Sequence, residues 1–198
     1  ELLVMNSSFH ANEGGLGSQS PAPEVVPPEQ ADSALALFRD LDHPVAKFLG
    51  KTAAFDVRHV QKSLYVGPAP ERESVQQLWM KPRTPIPSSS QVVQRALLAY
   101  VVDQVMLEPA LRSVGLHWSV PGLSLASLDH SMWFHRDVDV NQWLLFDGTS
   151  TSVGGGRAKS DIRIFSESGE LLASAAQEGM VRVPEPGRAS AGHWTFSD

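Results

Sequence analysis

The sequence predicts an α+β fold, one long central helix wrapped by a curved antiparallel sheet. Two observations predict it. A single long run free of Gly and Pro, about residues 89–107, follows a triple choice of N-cap, Ser88-Ser89-Ser90. Strand-like segments stand on both sides of that run, and one buried helix under a sheet is the economical way to arrange them.

The elements follow in order. LLVMNSSFH (2–10) reads as a strand. Residues 11–34 hold Gly14, Gly15, Gly17, Pro21, Pro23, Pro27 and Pro28, a density that reads as a linker. A short amphipathic helix is expected at 31–39, capped by Asp32 or Ser33. AFDVRHV (54–60) alternates as a strand does, and so does SVQQLWMK (74–81), which ends at Pro82, Pro85 and Pro87. Beyond the long helix, strand signals cover 123–134, 142–149, 157–166 and 170–183. Glu167-Ser168-Gly169 supplies a turn, and Gly154–Gly156 reads as a bulge or a close backbone approach. The tail 184–198 is expected to be loose, with Trp194 and Phe196 able to dock.

Composition narrows the function. The 198 residues carry 16 Lys plus Arg against 22 Asp plus Glu, a formal net charge of −6. That balance argues against a broad nucleic-acid footprint, which needs clustered cations. There are no cysteines, so disulfides, thiolate metal sites and cysteine nucleophiles are all excluded. A cysteine-free chain suits a reducing compartment, and a cytoplasmic location is the expectation. The longest uncharged apolar run, ALLAYVV (96–102), is far short of the ~20 residues of a membrane span.

Three polar residues stand out. The helix is apolar nearly all round, so burial on most sides is expected. Asp103 has Ala96, Ala99, Tyr100, Met106 and Leu107 as helical neighbours, which puts a carboxylate on an apolar face. Burying an ionised carboxylate without partners is costly and raises its pKa. It reads either as a hydrogen-bonded structural Asp or as a general base in an apolar cleft. On the last strand Gln177 shares the more apolar face with Ala173, Ala175 and Gly179. Ser127 lies on a strand expected near the helix. Both are ordinary as hydrogen-bonded side chains, and both are able to hold a water.

Other constellations fail on geometry. On one continuous strand, His130 and His135 point to opposite faces, and His130 points away from Ser127 and Asp129. No local triad results. Asp129 and His135 share a face but lie ~20 Å apart. No G-x-S-x-G elbow, phosphate-binding G-x-x-x-x-G-K-[ST] loop or H-E-x-x-H motif is present. Trp133 and Trp143 read as core or interface aromatics.

The run SLDHSMWFHR (127–136), with WLLF (143–146), GGGR (154–157) and AAQEGMVR (175–182), resembles the C-terminal half of the acyl-CoA thioesterase II family, which has a double hotdog fold. The likeness extends upstream through FDVR (55–58), LWMK (78–81) and LLAYVVD (97–103), and MNSSFH (5–10) resembles the closing strand of the first hotdog. It divides the chain into 1–10, the closing strand of a mostly absent first hotdog; 11–50, linker; 51–183, hotdog domain; and 184–198, tail. Asp137 follows His135-Arg136 where the family usually has Pro, and Ala158 stands where Gly is common.

The resemblance implies hydrolysis of fatty acyl-CoA to free fatty acid and coenzyme A by a water that Asp103, Ser127 and Gln177 orient. It implies an acyl-CoA substrate, no cofactor and no metal, and a homo-oligomer joined through hotdog sheets. Arg136, Arg157, Lys159 and Arg163 are candidates for the coenzyme A phosphates, with surface salt bridges as their ordinary alternative. Two other readings stand beside it. One is a non-catalytic acyl-CoA-binding module. The other is an enoyl-CoA hydratase-type hotdog, which wants an Asp–His pair where no His stands near Asp103 in sequence.

Overall fold

Apolar patterning and ladder pairing decide the architecture of the computed structural model, which describes residues 4–11 and 13–183. The first elements are a two-residue strand β1 (Asp32–Ser33), helix α1 (Ala34–Asp40) and helix α2 (Pro44–Thr52). Ser33 caps α1 by accepting from the Ala36 amide. Helix α2 falls mostly inside the segment read as linker. Pro44 is no breaker there, because the first helical position has no intrahelical use for an N–H. The His43 ring caps the helix at the Val45 amide. The described residues of the segment read as strand, 4–10, carry no regular structure and are exposed. A strand needs a ladder partner, and none runs beside them among the described residues.

Strands β2 (Phe55–His59), β3 (Val75–Pro82), β4 (Ser124–Ser127), β5 (Ser131–Phe134), β6 (Leu144–Gly154), β7 (Arg157–Ser166) and β8 (Leu171–Arg182) build one antiparallel sheet with β1. Its order is β1-β2-β3-β6-β7-β8-β4, and β5 also pairs with β8. Gly155 and Gly156, with φ of 60° and 76°, form the turn between β6 and β7. The glycine triplet is therefore a hairpin turn, since two consecutive positive φ angles suit the twist of a tight hairpin. The bulge in this ladder lies at Ser150/Ser152 instead.

Helix α3 (Gln91–Val105) packs on the sheet through Leu98, Val101, Val102 and Val105. They meet Leu78, Met80, Leu144, Phe146, Ile162 and Ile164, all buried. Full burial of such a side chain is worth ~1.5–3 kcal/mol. The Gln91 and Gln94 side chains tie the start of α3 to the backbone of Val138 and Val140. The expectation of burial on most sides is corrected. Val92, Val93, Ala96, Tyr100, Asp103 and Gln104 are exposed. They lie on the side turned away from the central strands, where only Phe55 beside Tyr100 and the end of β4 beside Asp103 come near. A second, unexpected helix, α4 (Glu108–Val114), follows almost at once and ends at Gly115 in the left-handed region.

On the opposite face of the sheet the Pro-rich segment forms a strap. The Trp79 indole donates to the Val26 carbonyl and Arg58 to the Pro28 carbonyl, both at 2.9 Å. Trp143 is buried in the cluster beneath that strap, whereas Trp133 is exposed. The tail 184–198, with Trp194 and Phe196, lies outside the described residues.

Candidate active site

Three elements bring the sequence-predicted residues together. Asp103 lies in the last turn of α3, Ser127 ends β4, and Gln177 sits on β8. Ser127 faces Gly179 across the β4–β8 ladder. Gln177 is two positions further along, on the same face of β8. The Ser127 hydroxyl lies 2.7 Å from Asp103 Oδ1, and Gln177 Nε2 donates to Ser127 Oγ at 2.9 Å.

The predicted strand 123–134 is broken, and the break recruits a residue that the sequence pattern had turned away. Ser127 pairs with Gly179, yet Ser131 pairs with Ala176, so β4 and β5 together hold one residue more than β8. The amides of Leu128 and Asp129 both point to the Glu178 carbonyl, the mark of a bulge. One extra residue inverts every later side chain. His130 therefore stands opposite Gln177, and its Nδ1 is 2.7 Å from Gln177 Oε1. Only on an unbroken strand would the ring face the other way. His130 still makes no Asp–His pair, because Gln177 and Ser127 stand between it and the acid.

Proton bookkeeping gives this chain a direction. The Ser127 hydroxyl has one proton, and an ionised Asp103 only accepts. Gln177 must then present its amide N–H to Ser127 and its carbonyl to His130. A carbonyl only accepts, so His130 Nδ1 carries a proton. Every donor thus points toward Asp103.

Asp103 and Ser127 line an open cavity of about 210 Å³ together with Gln104, Leu107, Trp118, Leu125 and Ala126. Its lining is mixed, polar at Asp103, Gln104 and Ser127 and apolar at Leu107, Trp118, Leu125 and Ala126. Gln177 is 1% exposed, as a core glutamine was expected to be. Asp103 and Ser127 are exposed, which corrects the buried carboxylate expected from the helical pattern. Asp103 lies on the uncovered side of α3, and this chain alone does not desolvate it.

The four candidate phosphate ligands are engaged elsewhere. Arg157 meets Glu178, Lys159 meets Asp161, and Arg163 meets Asp147. Arg136 donates to the Leu171 carbonyl. Among the described residues no helix is long and apolar enough to cross a membrane.

The helix cradled by an antiparallel sheet is the hotdog architecture. A hot dog fold protein from Alicyclobacillus acidocaldarius superposes with a TM-score of 0.64 over 88% of this chain and 60% of its own, at 16% identity. Residues 23–181 match the family model of the acyl-CoA thioesterase C-terminal domain, and the chain belongs to that family. Acyl-CoA thioesterase 2 of Haemophilus influenzae is 28% identical over 187 residues, 93% of this chain and 65% of that protein. Human acyl-coenzyme A thioesterase 8 is 29% identical over 194 residues, covering 92% and 60%. The crystal structure of acyl-CoA thioesterase II TesB2 from Mycobacterium marinum has a TM-score of 0.67 at 33% identity, over 87% of this chain and 60% of that one. The chain thus spans between 60% and 65% of the length of these relatives.

Proposed function

We propose that this chain carries the hydrolytic site of an acyl-CoA thioesterase acting on fatty acyl-CoA. The observation that carries the reading is the directed hydrogen-bond chain His130–Gln177–Ser127–Asp103, which ends at a carboxylate in a half-apolar cavity. A water held at Asp103 and Ser127 attacks the thioester carbonyl. Asp103 takes the water's proton, the C–S bond breaks, and the proton passes to the departing sulfur. The products are a free acid and coenzyme A. The relatives' names support the substrate class.

The test compares native protein with Asp103→Asn for thiol release from medium- and long-chain acyl-CoA. General-base catalysis is worth ~10²–10⁴-fold, and a loss of that size is expected. Equal turnover in both removes Asp103 from the chemistry. Tight binding of acyl-CoA without turnover in the native protein identifies a binding module instead.

We also propose a homo-oligomer joined through hotdog sheets. Val92, Val93 and Tyr100 on α3, with Trp133 and Phe134 on β5, are exposed apolar side chains. Beyond β8, β5 has no second ladder partner among the described residues. Such patches and open edges invite pairing. Light scattering at micromolar concentration should report two or more copies, and a monomer there refutes the assembly. A cytoplasmic location belongs to the same reading and rests on the cysteine-free composition.

A further inference from the structure

The strongest unassigned feature is a buried acid behind the cavity wall. Glu108 is 1% exposed, and His59, also 1% exposed, lies beside it with 3.6 Å between Nε2 and Glu108 Oε2. Both ring nitrogens of His59 and Oε2 of Glu108 are buried without a hydrogen bond. Burying such groups is costly, and an apolar side chain would fill the same space without that cost. The other carboxylate oxygen, Glu108 Oε1, accepts from the Trp118 indole N–H at 3.1 Å. Trp118 is a wall of the cavity that holds Asp103 and Ser127.

The indole is fixed from several directions. The Trp118 amide donates to the Leu64 carbonyl at 2.9 Å. Its neighbour Ser119 donates to the Tyr65 carbonyl at 3.1 Å and meets the His117 ring at 2.9 Å. Its ring packs on the cluster of Leu64, Leu107, Ala110 and Leu111. The backbone contacts hold the loop, and the Glu108 hydrogen bond, together with this packing, sets the rotation of the indole. The cavity itself is smaller than the ~300–1,000 Å³ of a complete small-molecule site, so it takes one part of an acyl-CoA. Its polar lining at Asp103 and Ser127 suits the thioester. Its apolar lining at Leu107, Trp118 and Leu125 suits the acyl chain leaving the carbonyl.

We propose that Trp118, held in place by Glu108, is the wall that sets acyl-chain selectivity, with Glu108 as its positioning residue. The inference rests on the thioesterase reading for its substrate class. The wall closes the acyl end against long or branched chains, and Glu108 keeps it closed. Removing the indole takes away the apolar wall. Removing the carboxylate leaves the indole held by packing alone.

The experiment measures hydrolysis of acyl-CoA from four to sixteen carbons, in parallel with binding of the matching non-hydrolysable thioether analogues by calorimetry. It uses native protein, Trp118→Ala, Trp118→Phe, Glu108→Ala and Glu108→Gln, with circular dichroism confirming the fold. Trp118→Ala should raise the long-over-short preference about tenfold or more, the scale on which apolar pockets discriminate chain length. Glu108→Ala and Trp118→Phe should shift it the same way, and Glu108→Gln, which keeps an acceptor oxygen, should restore the native profile. If Glu108→Ala does not fold, Trp118→Phe carries the tether test. Unchanged chain-length profiles in folded Trp118→Ala and Trp118→Phe overturn the inference, as does native protein that binds none of the analogues. Native protein that binds selectively without turnover, with selectivity moved by Trp118→Ala, upholds the wall and refutes only the hydrolytic reading.

Discussion

Replacing His130 by Phe tests whether the polar chain is a working unit. The His130 ring supplies the donor to Gln177 Oε1, and the Gln177 side chain is buried on β8. Phe keeps a ring at that position and removes the N–H. The buried amide oxygen then has no partner, at a penalty of ~1–3 kcal/mol. Turning the Gln177 amide pairs the oxygen with the Ser127 hydroxyl, but it takes the N–H from Ser127 and leaves it against the Phe ring with no acceptor. The Ser127 proton is then drawn away from Asp103. If the whole penalty falls on the transition state, kcat drops about 5- to 160-fold at 1.36 kcal/mol per factor of ten. The effect belongs to kcat rather than KM, because His130 does not line the acyl cavity. His130→Asn places an amide N–H close to the lost Nδ1–H and should recover part of the rate. Coenzyme A release can be followed directly with a thiol reagent, since the chain has no cysteine of its own. A folded Phe variant with native kcat, or an Asn variant no better than Phe, refutes the directed chain.

Other consequences are equally open to measurement. A Cβ at Gly179 would stand 2.7 and 2.9 Å from the Leu107 methyl carbons and 3.3 Å from the Ala126 carbonyl. Gly179→Ala should therefore push Leu107 into the cavity, lower stability by ~1–3 kcal/mol in chemical denaturation and weaken acyl-CoA binding. Ser127→Ala should lose the bridge between Asp103 and Gln177 and fall at least tenfold in kcat, whereas Ser127→Thr keeps the hydroxyl on a stiffer side chain and should retain most of the rate. Burial lowers the pKa of His117, and burial with the Arg136 charge lowers that of His135, below the ordinary 6.5. The unfolded chain then binds more protons than the folded one below pH 6.5, so their contribution is present above 6.5 and is lost as pH falls. The thermal midpoint should drop from pH 7.5 to 5.5, and should drop less in a His117→Gln/His135→Gln double variant.

What was legible in the sequence was whatever depended on local pattern. The alternation of 157–166 and 170–183 marked β7 and β8 almost to the residue, and the Ser-rich cap with the unbroken run marked α3. Gln177 was readable as an inward polar side chain because β8 keeps one register around it. His130 was not, because its facing depends on an extra residue in the partner ladder, and nothing in Leu128-Asp129-His130 announces a bulge. Helix α2 was hidden by Pro44, which permits a helix start as readily as it ends one. Glu108 was hidden because α4 begins one residue before Pro109, just past the run that marked α3, in a stretch where the pattern assigned no element.

The largest departure from expectation, an exposed Asp103, has the same cause as the exposed valines of α3. Val92, Ala96, Tyr100 and Asp103 follow the three- and four-residue spacing of one helix face, and that face looks away from the sheet. Val92 and Tyr100 are 79% and 58% exposed on it, an apolar stripe that a helix facing only water does not need. A second copy seated on the stripe in the proposed assembly would reach Asp103 at its end and take water from around the carboxylate. The hydrogen-bond chain from His130 is complete within one chain, but the low-dielectric surroundings that strengthen such a chain are not. In the proposed assembly, geometry comes from the single hotdog and desolvation from a neighbouring copy. The proposed assembly and the proposed hydrolysis then depend on one surface, and a substitution that exposes the stripe in solution is expected to lower activity without displacing Asp103, Ser127 or Gln177.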